Sequence, residues 1–126
     1  MSDDKSAAIV IDLTKDFVGL IRQNEPNWKK GYFRFHMDEF GYGCNASYEA
    51  PSGVVLISTF KYKRLLEDMN EKSKNLLNAL KKDKAVFILT VDFNLKYNIS
   101  FDYENLDRWK ITKLNGGTGV PEGIAE

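Results

Sequence analysis

The chain has 126 residues, 43% of them hydrophobic and 13% aromatic, which is enough for one domain with a packed core and excludes a disordered protein. Its 18 basic and 18 acidic residues cancel, so the overall charge gives no indication of binding to nucleic acid or to an anionic membrane. The single cysteine, Cys44, excludes an internal disulfide and favours a reducing compartment.

The N-terminal residues Met1–Lys5 are acidic, and an amphipathic segment follows them. This start lacks the basic and apolar regions of a signal peptide. No uninterrupted apolar run approaches the 18 residues or so that a membrane-spanning helix needs. We therefore expect a cytoplasmic protein without a membrane span.

The first predicted element is a helix from about residue 6 to residue 24. Its apolar residues recur at helical spacing, namely Ile9, Val10, Leu13, Phe17, Leu20 and Ile21. Pro26 ends the helix. Three apolar runs follow, over residues 32–37, 40–48 and 54–57, and short polar turns separate them. This pattern predicts an antiparallel meander of three strands.

A second helix is predicted over residues 60–82. Its apolar stripe is formed by Leu65, Leu66, Met69, Leu76, Leu77 and Leu80, and its opposite side is strongly charged. Two alternating runs, residues 86–93 and 97–103, are separated only by Asn94–Lys96 and predict a β-hairpin. The glycine-rich residues 115–126 are expected to form an irregular tail.

The element order is therefore α-β-β-β-α-β-β over a single domain of residues 1–126. It predicts an α+β fold in which two helices cover one face of an antiparallel sheet of about five strands. The other sheet face is expected to be in contact with water.

The hairpin offers a candidate binding surface. In its second strand Tyr97, Ile99, Phe101 and Tyr103 alternate with the polar residues Asn98, Ser100 and Asp102, which predicts one core face and one solvent face. An acidic partner-binding surface is expected from four residues, Asp92, Asp102, Glu104 and Asp107. Tyr48 and Trp109 are predicted as aromatic anchors because their side chains offer large contact areas.

Residues with catalytic potential are few. His36 is the only histidine and is interpreted as a solvated or hydrogen-bonded residue of a strand. Cys44 lies among alternating packing residues and is interpreted as inert. The run Asn115–Gly119 lacks the following helix and the Lys-Ser or Lys-Thr of a phosphate loop. No catalytic residue, metal site or cofactor is predicted.

Three motifs stand out beside the element order: Pro26-Asn27-Trp28-Lys29-Lys30, Phe101-Asp102-Tyr103-Glu104-Asn105-Leu106 with Trp109, and Pro121-Glu122-Gly123. With these motifs the chain resembles the YezG-like immunity proteins of bacterial polymorphic toxin systems. The resemblance covers about residues 6–124 and depends on the element order and on a loose aromatic and acidic pattern. The resemblance implies a small cytoplasmic protein that acts by binding a toxin domain and that has no catalytic residues.

The sequence hypothesis is thus an antitoxin, as found in polymorphic toxin and contact-dependent growth inhibition systems. It would bind a cognate toxin domain, a nuclease by preference, and occlude the active site or the substrate surface. Its acidic hairpin would mimic the nucleic acid, and the protein itself would bind neither nucleic acid nor membrane. Two alternatives stay open: a small metal-dependent hydrolase that uses Asp92, Asp102 and Glu104, and an adaptor that binds a peptide along a sheet edge.

Overall fold

The computed structural model describes residues 2–124, with residues 2 and 3 described by their backbone alone. Its elements are helix α1 Ser2–Asn24, strands β1 Lys30–Asp38, β2 Gly41–Ala50 and β3 Gly53–Leu56, helix α2 Lys63–Ala79, strands β4 Ala85–Asp92 and β5 Tyr97–Asp102, and a short 3-10 turn Leu114–Gly116. The predicted α+β class and element order are confirmed. Neither helix of the described chain is long and apolar enough to cross a bilayer.

The five strands form one antiparallel sheet in the order β3-β2-β1-β4-β5. The meander β1-β2-β3 and the hairpin β4-β5 are confirmed, and β1 joins them by pairing with β4. This junction brings together segments about 50 residues apart in the chain, for example Phe33 with Leu89 and Phe35 with Phe87. The strands at the two edges of the sheet are therefore β3 and β5.

Both helices pack on one face of the sheet, which we call the helix face. The stripe of α1 is buried at Leu13, Phe17, Leu20 and Ile21, and that of α2 at Leu66, Met69, Leu76 and Leu77. These side chains meet alternate strand residues such as Phe33, Phe35, Phe87 and Leu89. A salt bridge of 2.7 Å between Lys72 and Asp16 joins the two helices.

The helix bounds differ from the predicted ones. The first helix begins at Ser2 instead of residue 6, because its polar first turn carries no apolar stripe that could reveal it. The second helix runs from Lys63 to Ala79, shorter at both ends than the predicted 60–82. At its C-terminal end, Lys81 takes the left-handed conformation that stops a helix.

The opposite face of the sheet, which we call the second face, is not simply in water as predicted. The C-terminal segment, residues 103–124, crosses it. Trp109 and Ile111 of this segment pack with Tyr32, Val86 and Ile88 of the sheet in a second, smaller apolar cluster. The expectation of one solvent face fails because a chain without regular structure covers the strands.

Sheet side chains hold this segment by bonding to its backbone. Arg34 donates through Nε to the carbonyl of Arg108 at 2.7 Å and through Nη2 to that of Leu106 at 2.6 Å. The buried Ser47 hydroxyl donates to the carbonyl of Gly119 at 2.6 Å. Since unbonded buried carbonyls are costly, these contacts fix the course of a segment that cannot satisfy its own polar groups.

The predicted irregular tail is irregular in its described part but closely packed. The N–H of Gly119 donates to the Thr112 carbonyl at 2.9 Å, and the N–H of Glu122 donates to that of Lys110 at 3.0 Å. At Gly117 an added Cβ would collide with the Thr112 carbonyl oxygen. Glycine there permits a close backbone approach, while residues 125 and 126 lie outside the described chain.

Candidate partner-binding surface

One end of the sheet is built from three connections that are far apart in the sequence. Strand β1 ends at Asp38, β4 begins at Ala85 and β5 ends at Asp102. The strand registers place these three ends side by side. The adjoining residues form a groove lined by Asp38, Glu39, Phe40, Asp83, Lys84, Glu104 and Leu106.

The α2–β4 connection reaches this groove through a Schellman motif. Lys81 has a positive φ of 59°, and the N–H of Lys82 donates to the Leu77 carbonyl at 2.9 Å. The left-handed residue reverses the chain and directs Asp83 to the sheet end. The Lys82 ammonium also lies 4.5 Å from the centroid of the Tyr103 ring, which joins this connection to the end of β5.

Negative charge predominates in the groove. We define the acidic end as four carboxylate residues with one aromatic residue: Asp38, Glu39, Asp83, Glu104 and Phe40. Lys84 is the single basic residue among the lining residues. Asp38 accepts the N–H of Phe40 at 2.8 Å. Within the described side chains, no salt bridge involves Glu39, Asp83 or Glu104, so three carboxylates are free to meet an outside cation.

Phe40 is the aromatic residue of this surface. Its side chain is 90% exposed at the tip of the β1–β2 turn, and the Asp38 carboxylate fixes that turn. An exposed ring with charged neighbours can fill a pocket on a partner while the charges orient the complex. The acidic end thus combines an anchor with charges on connections that a sheet positions.

Asp102, predicted to be a free acid of the binding surface, is instead bonded within the fold. Its Oδ1 accepts the backbone N–H groups of Asn105 at 2.8 Å and of Glu104 at 2.9 Å, and its Oδ2 lies 3.2 Å from Arg108 Nη1. The bonds from Asn105 and Glu104 hold the pKa of the Asp102 carboxyl below its usual range. This carboxylate stabilises the turn after β5, so it is not the free acid that the prediction assumed.

Asp92 is also bonded within the fold. Its Oδ1 accepts the N–H groups of Asn94 at 2.9 Å and of Lys96 at 3.0 Å and so stabilises the hairpin turn. Asp102 pairs with Val86, at the other end of β4. Six residues of strand separate the two acids, about 20 Å at the usual rise. The four predicted acids therefore do not form one surface.

The other two predicted acids lie near each other, beyond β5. Glu104 belongs to the acidic end, where it is exposed. Asp107 is exposed and lies 3.7 Å from Lys110 Nζ. Its charge raises the pKa of the buried Arg34 guanidinium against the larger, lowering effect of burial. Asp107 is therefore near internal basic groups and is not part of the acidic end.

The predicted aromatic anchors are core residues. Tyr48 is 6% exposed and packs with the helix-face core, and Trp109 is 5% exposed in the second-face cluster. The Arg108 guanidinium covers the Trp109 ring at 4.3 Å from the centroid. A buried ring cannot insert into a partner without a rearrangement of its surroundings, so neither residue is the exposed anchor that the prediction assumed.

Burial affects the pKa values of both His36 and Cys44. Burial, helped by the charge of Arg34, lowers the pKa of His36 although Asp38 opposes it, so the imidazole is neutral at pH 7. Burial raises the pKa of the Cys44 thiol to about 11, so the thiol stays protonated. The thiol contacts Asn70, whose side-chain oxygen is otherwise unbonded in the interior.

The hydrolase alternative lacks the geometry that it needs. It requires Asp92, Asp102 and Glu104 around one cation, but Asp92 and Asp102 lie at opposite ends of the hairpin. Over the described side chains, no group of three or more His, Cys, Asp or Glu residues is placed to share a metal ion. The residues named for that reaction therefore cannot act together.

Sequence reasoning missed Asp38, Glu39, Phe40 and Asp83 as site residues. Asp38 and Glu39 were interpreted only as the turn between the first two predicted strands. Asp83 lies between two lysines, which conceals its contribution to an acidic surface. The one local signal was Phe40, an aromatic residue directly after two acids in a turn. Grouping these residues needs the β1–β4 register, which no local pattern contains.

No family model matches this chain, and no curated protein matches it. The resemblance to YezG-like immunity proteins, drawn from element order and sequence motifs, accordingly stays a prediction. The support for a function comes from the acidic end and from the internal bonding of the other candidate residues.

Proposed function

We propose that this protein is an immunity protein that binds and neutralises a cognate bacterial toxin domain, and that the acidic end contacts that toxin. The observation that carries the proposal is the gathering of four carboxylates around the exposed Phe40. The resemblance of the element order and motifs to YezG-like proteins supports the same function.

The charge of the acidic end favours a basic partner. Nucleases bind phosphate groups through lysine and arginine side chains. Carboxylates opposite such a cleft speed association and orient the complex, and they repel nucleic acid itself. The net charge of the whole chain is zero, so this attraction depends on the local arrangement. A nuclease domain is therefore the favoured target.

The protein would neutralise the toxin by occupying the site that binds the toxin's substrate. The carboxylates of Asp83 and Glu104 would pair with the bases that otherwise hold substrate phosphates, while Phe40 fills an adjoining apolar pocket. The strands beneath fix the three connections before binding, which lowers the ordering cost of the complex. The proposal places the protein in the cytoplasm, where a delivered or self-made toxin would meet its substrate.

Co-expression tests the proposal. The toxin domain encoded beside this protein's gene should kill cells when expressed alone, and cells should survive when this protein is produced with it. The two chains should copurify with a dissociation constant of about 1 nM or less, equivalent to roughly 12 kcal/mol. An unrelated nuclease toxin serves as the specificity control and should not be neutralised. Absence of both rescue and binding with the neighbouring toxin contradicts the proposal.

A further inference from the structure

The two edges of the sheet are protected to different extents against pairing with another strand. Strand β3 has only four residues, whereas β5 has six, Tyr97–Asp102. No proline, glycine or bulge interrupts β5, and no charged residue lies inside it between Tyr97 and Phe101. Natural sheets use such features to prevent edge-to-edge pairing. Strand β5 is thus the edge that is open to another strand.

The backbone of β5 presents its free groups in a fixed pattern. At the hairpin turn the N–H of Asp92 donates to the Lys96 carbonyl at 2.9 Å, while the Lys96 N–H donates to the Asp92 carboxylate. The main-chain bond places these two residues at a hydrogen-bonding position of the ladder. Hydrogen-bonded pairs alternate along an antiparallel ladder. From the β4–β5 register, Tyr97, Ile99 and Phe101 therefore direct their N–H and C=O groups away from β4.

The sequence of β5 is complementary to itself when read in antiparallel directions. If two copies pair around Ile99, Tyr97 lies opposite Phe101 and Asn98 lies opposite Ser100. In the same register Lys96 lies opposite Asp102, so charges of opposite sign are neighbours on both sides of the two-fold axis. Cross-strand pairs of aromatic residues and of opposite charges stabilise a sheet.

This register also satisfies the backbone. Residues 97, 99 and 101 of one copy meet residues 101, 99 and 97 of the other, and all of them carry outward-directed groups. Pairing would cover the edge beside Tyr97, whose side chain is 46% exposed, and beside the half-buried Ile99 and Phe101. An apolar groove between α1 and the start of β5, lined by Leu95 and Tyr97, lies at one end of the paired segment.

We infer that this protein forms a two-fold symmetric homodimer through β5, in which two five-stranded sheets join as one continuous sheet. The occupant of the edge is a second copy because the outward backbone groups and the Tyr97–Phe101 pairs match in one register. Lys96 then lies beside the Asp102 carboxylate, which keeps its negative charge while its own fold holds it in place. The paired segment ends at residue 102, so the acidic end of each copy stays outside it. Each dimer would hold two toxin domains.

Measurement of mass against concentration gives the first test. Sedimentation equilibrium of the full chain should show a monomer of 14.4 kDa converting to twice that mass as concentration rises. Lys96→Glu would place like charges opposite Asp102 at both ends of the pairing and should weaken the dimer at least about tenfold. Lys63→Glu, an exposed lysine at the start of α2, is the matched control and should leave the dimer unchanged.

Disulfide trapping tests the register. Opposite residues at non-hydrogen-bonded positions have Cα atoms about 4.5 Å apart, within reach of a disulfide. In a Cys44→Ser background, Asn98→Cys mixed with Ser100→Cys should form a covalent dimer on mild oxidation, and either variant alone should form much less. Circular dichroism of each variant checks that it is folded.

Three results would overturn the inference. One is a monomer at every concentration, and another is efficient trapping of Ser100→Cys alone, which would indicate a different register. The third is a monomer whose β5 edge becomes protected from hydrogen exchange only when the toxin domain is added, since that would assign the edge to the toxin. None of these results bears on whether co-expression rescues cells, so the dimer and the proposed function fail separately.

Discussion

Two regions of the molecule use polar side chains in opposite ways. Where the C-terminal segment covers the sheet, Arg34, Ser47 and Asp102 bond to the backbone of that segment. At the acidic end, Asp83 and Glu104 remain without an ion pair among the described side chains. The difference separates acids that their own fold bonds from unpaired acids on fixed connections, and the proposed function assigns the unpaired ones to the toxin.

The largest expected effect is a loss of stability in the region that the C-terminal segment covers. Arg34→Met would leave the carbonyls of Leu106 and Arg108 without their donor, and each unbonded buried group costs about 1–3 kcal/mol. We expect the free energy of unfolding to fall by about 3 kcal/mol or more in urea denaturation. Lys110→Met, at an exposed neighbouring position, should change it by less than about 0.5 kcal/mol. Equal effects of the two changes would mean that the segment is not held by Arg34.

The next effect concerns the acidic end and should leave stability intact. Asp83→Lys combined with Glu104→Lys replaces two unpaired, exposed carboxylates and should weaken toxin binding at least about a hundredfold, near 2.7 kcal/mol. Calorimetric titration measures the affinity, and the melting temperature should stay nearly constant. Glu67→Lys with Asp68→Lys on the exposed side of α2 makes the same charge change elsewhere. Similar losses in both double variants would show that only net charge matters.

A smaller effect is expected at the far side of the covered region. Ser47→Ala removes the donor to the Gly119 carbonyl inside the protein, which should cost about 1–2 kcal/mol of unfolding free energy. Ser52→Ala in the exposed β2–β3 turn is the control. Toxin affinity should not change in either variant. A stability as high as that of the wild type would mean that water replaces the hydroxyl at no cost.

The smallest effect is a dependence on pH at Asp102. Its folded pKa is lowered, so its ionised form stabilises the fold at pH values above its ordinary pKa of about 3.9. This contribution is lost as pH falls through the lower, folded pKa. The stability difference between wild type and Asp102→Asn should therefore be constant near neutrality and shrink below about pH 4. A difference that persists at low pH would argue against the turn-stabilising role.

The helix face could be predicted from the sequence because its signals are local. The stripe of α1, for example Leu13, Phe17 and Leu20, and the alternation of Ile99 with Phe101 each report burial within one element. These periods determined the fold class and the strand order within the meander and the hairpin. The β1–β4 pairing joins distant segments and had to come from the structure.

The second face could not be predicted in the same way. The segment that covers it is irregular, so Trp109 and Ile111 belong to neither a helical nor an alternating pattern. The position of the segment depends on individual hydrogen bonds from Arg34 and Ser47. The acidic end could not be predicted for a related reason. The whole β4–β5 hairpin lies between Asp83 and Glu104 in the sequence, and only the pairing of the strands brings them together. The sequence does not show whether an acidic side chain already accepts a backbone N–H group. This is why the internal bonding of Asp102 could not be predicted.

Hydrogen exchange of the free protein and of its complex with the cognate toxin domain tests the central claim most directly. We expect the complex to slow exchange at residues 38–41, 81–85 and 103–106, the three connections that form the acidic end. Exchange at the outer sides of α1 and α2 should stay as it is in the free protein. Tight binding with protection elsewhere, and none at these three connections, would contradict the claim that the acidic end contacts the toxin.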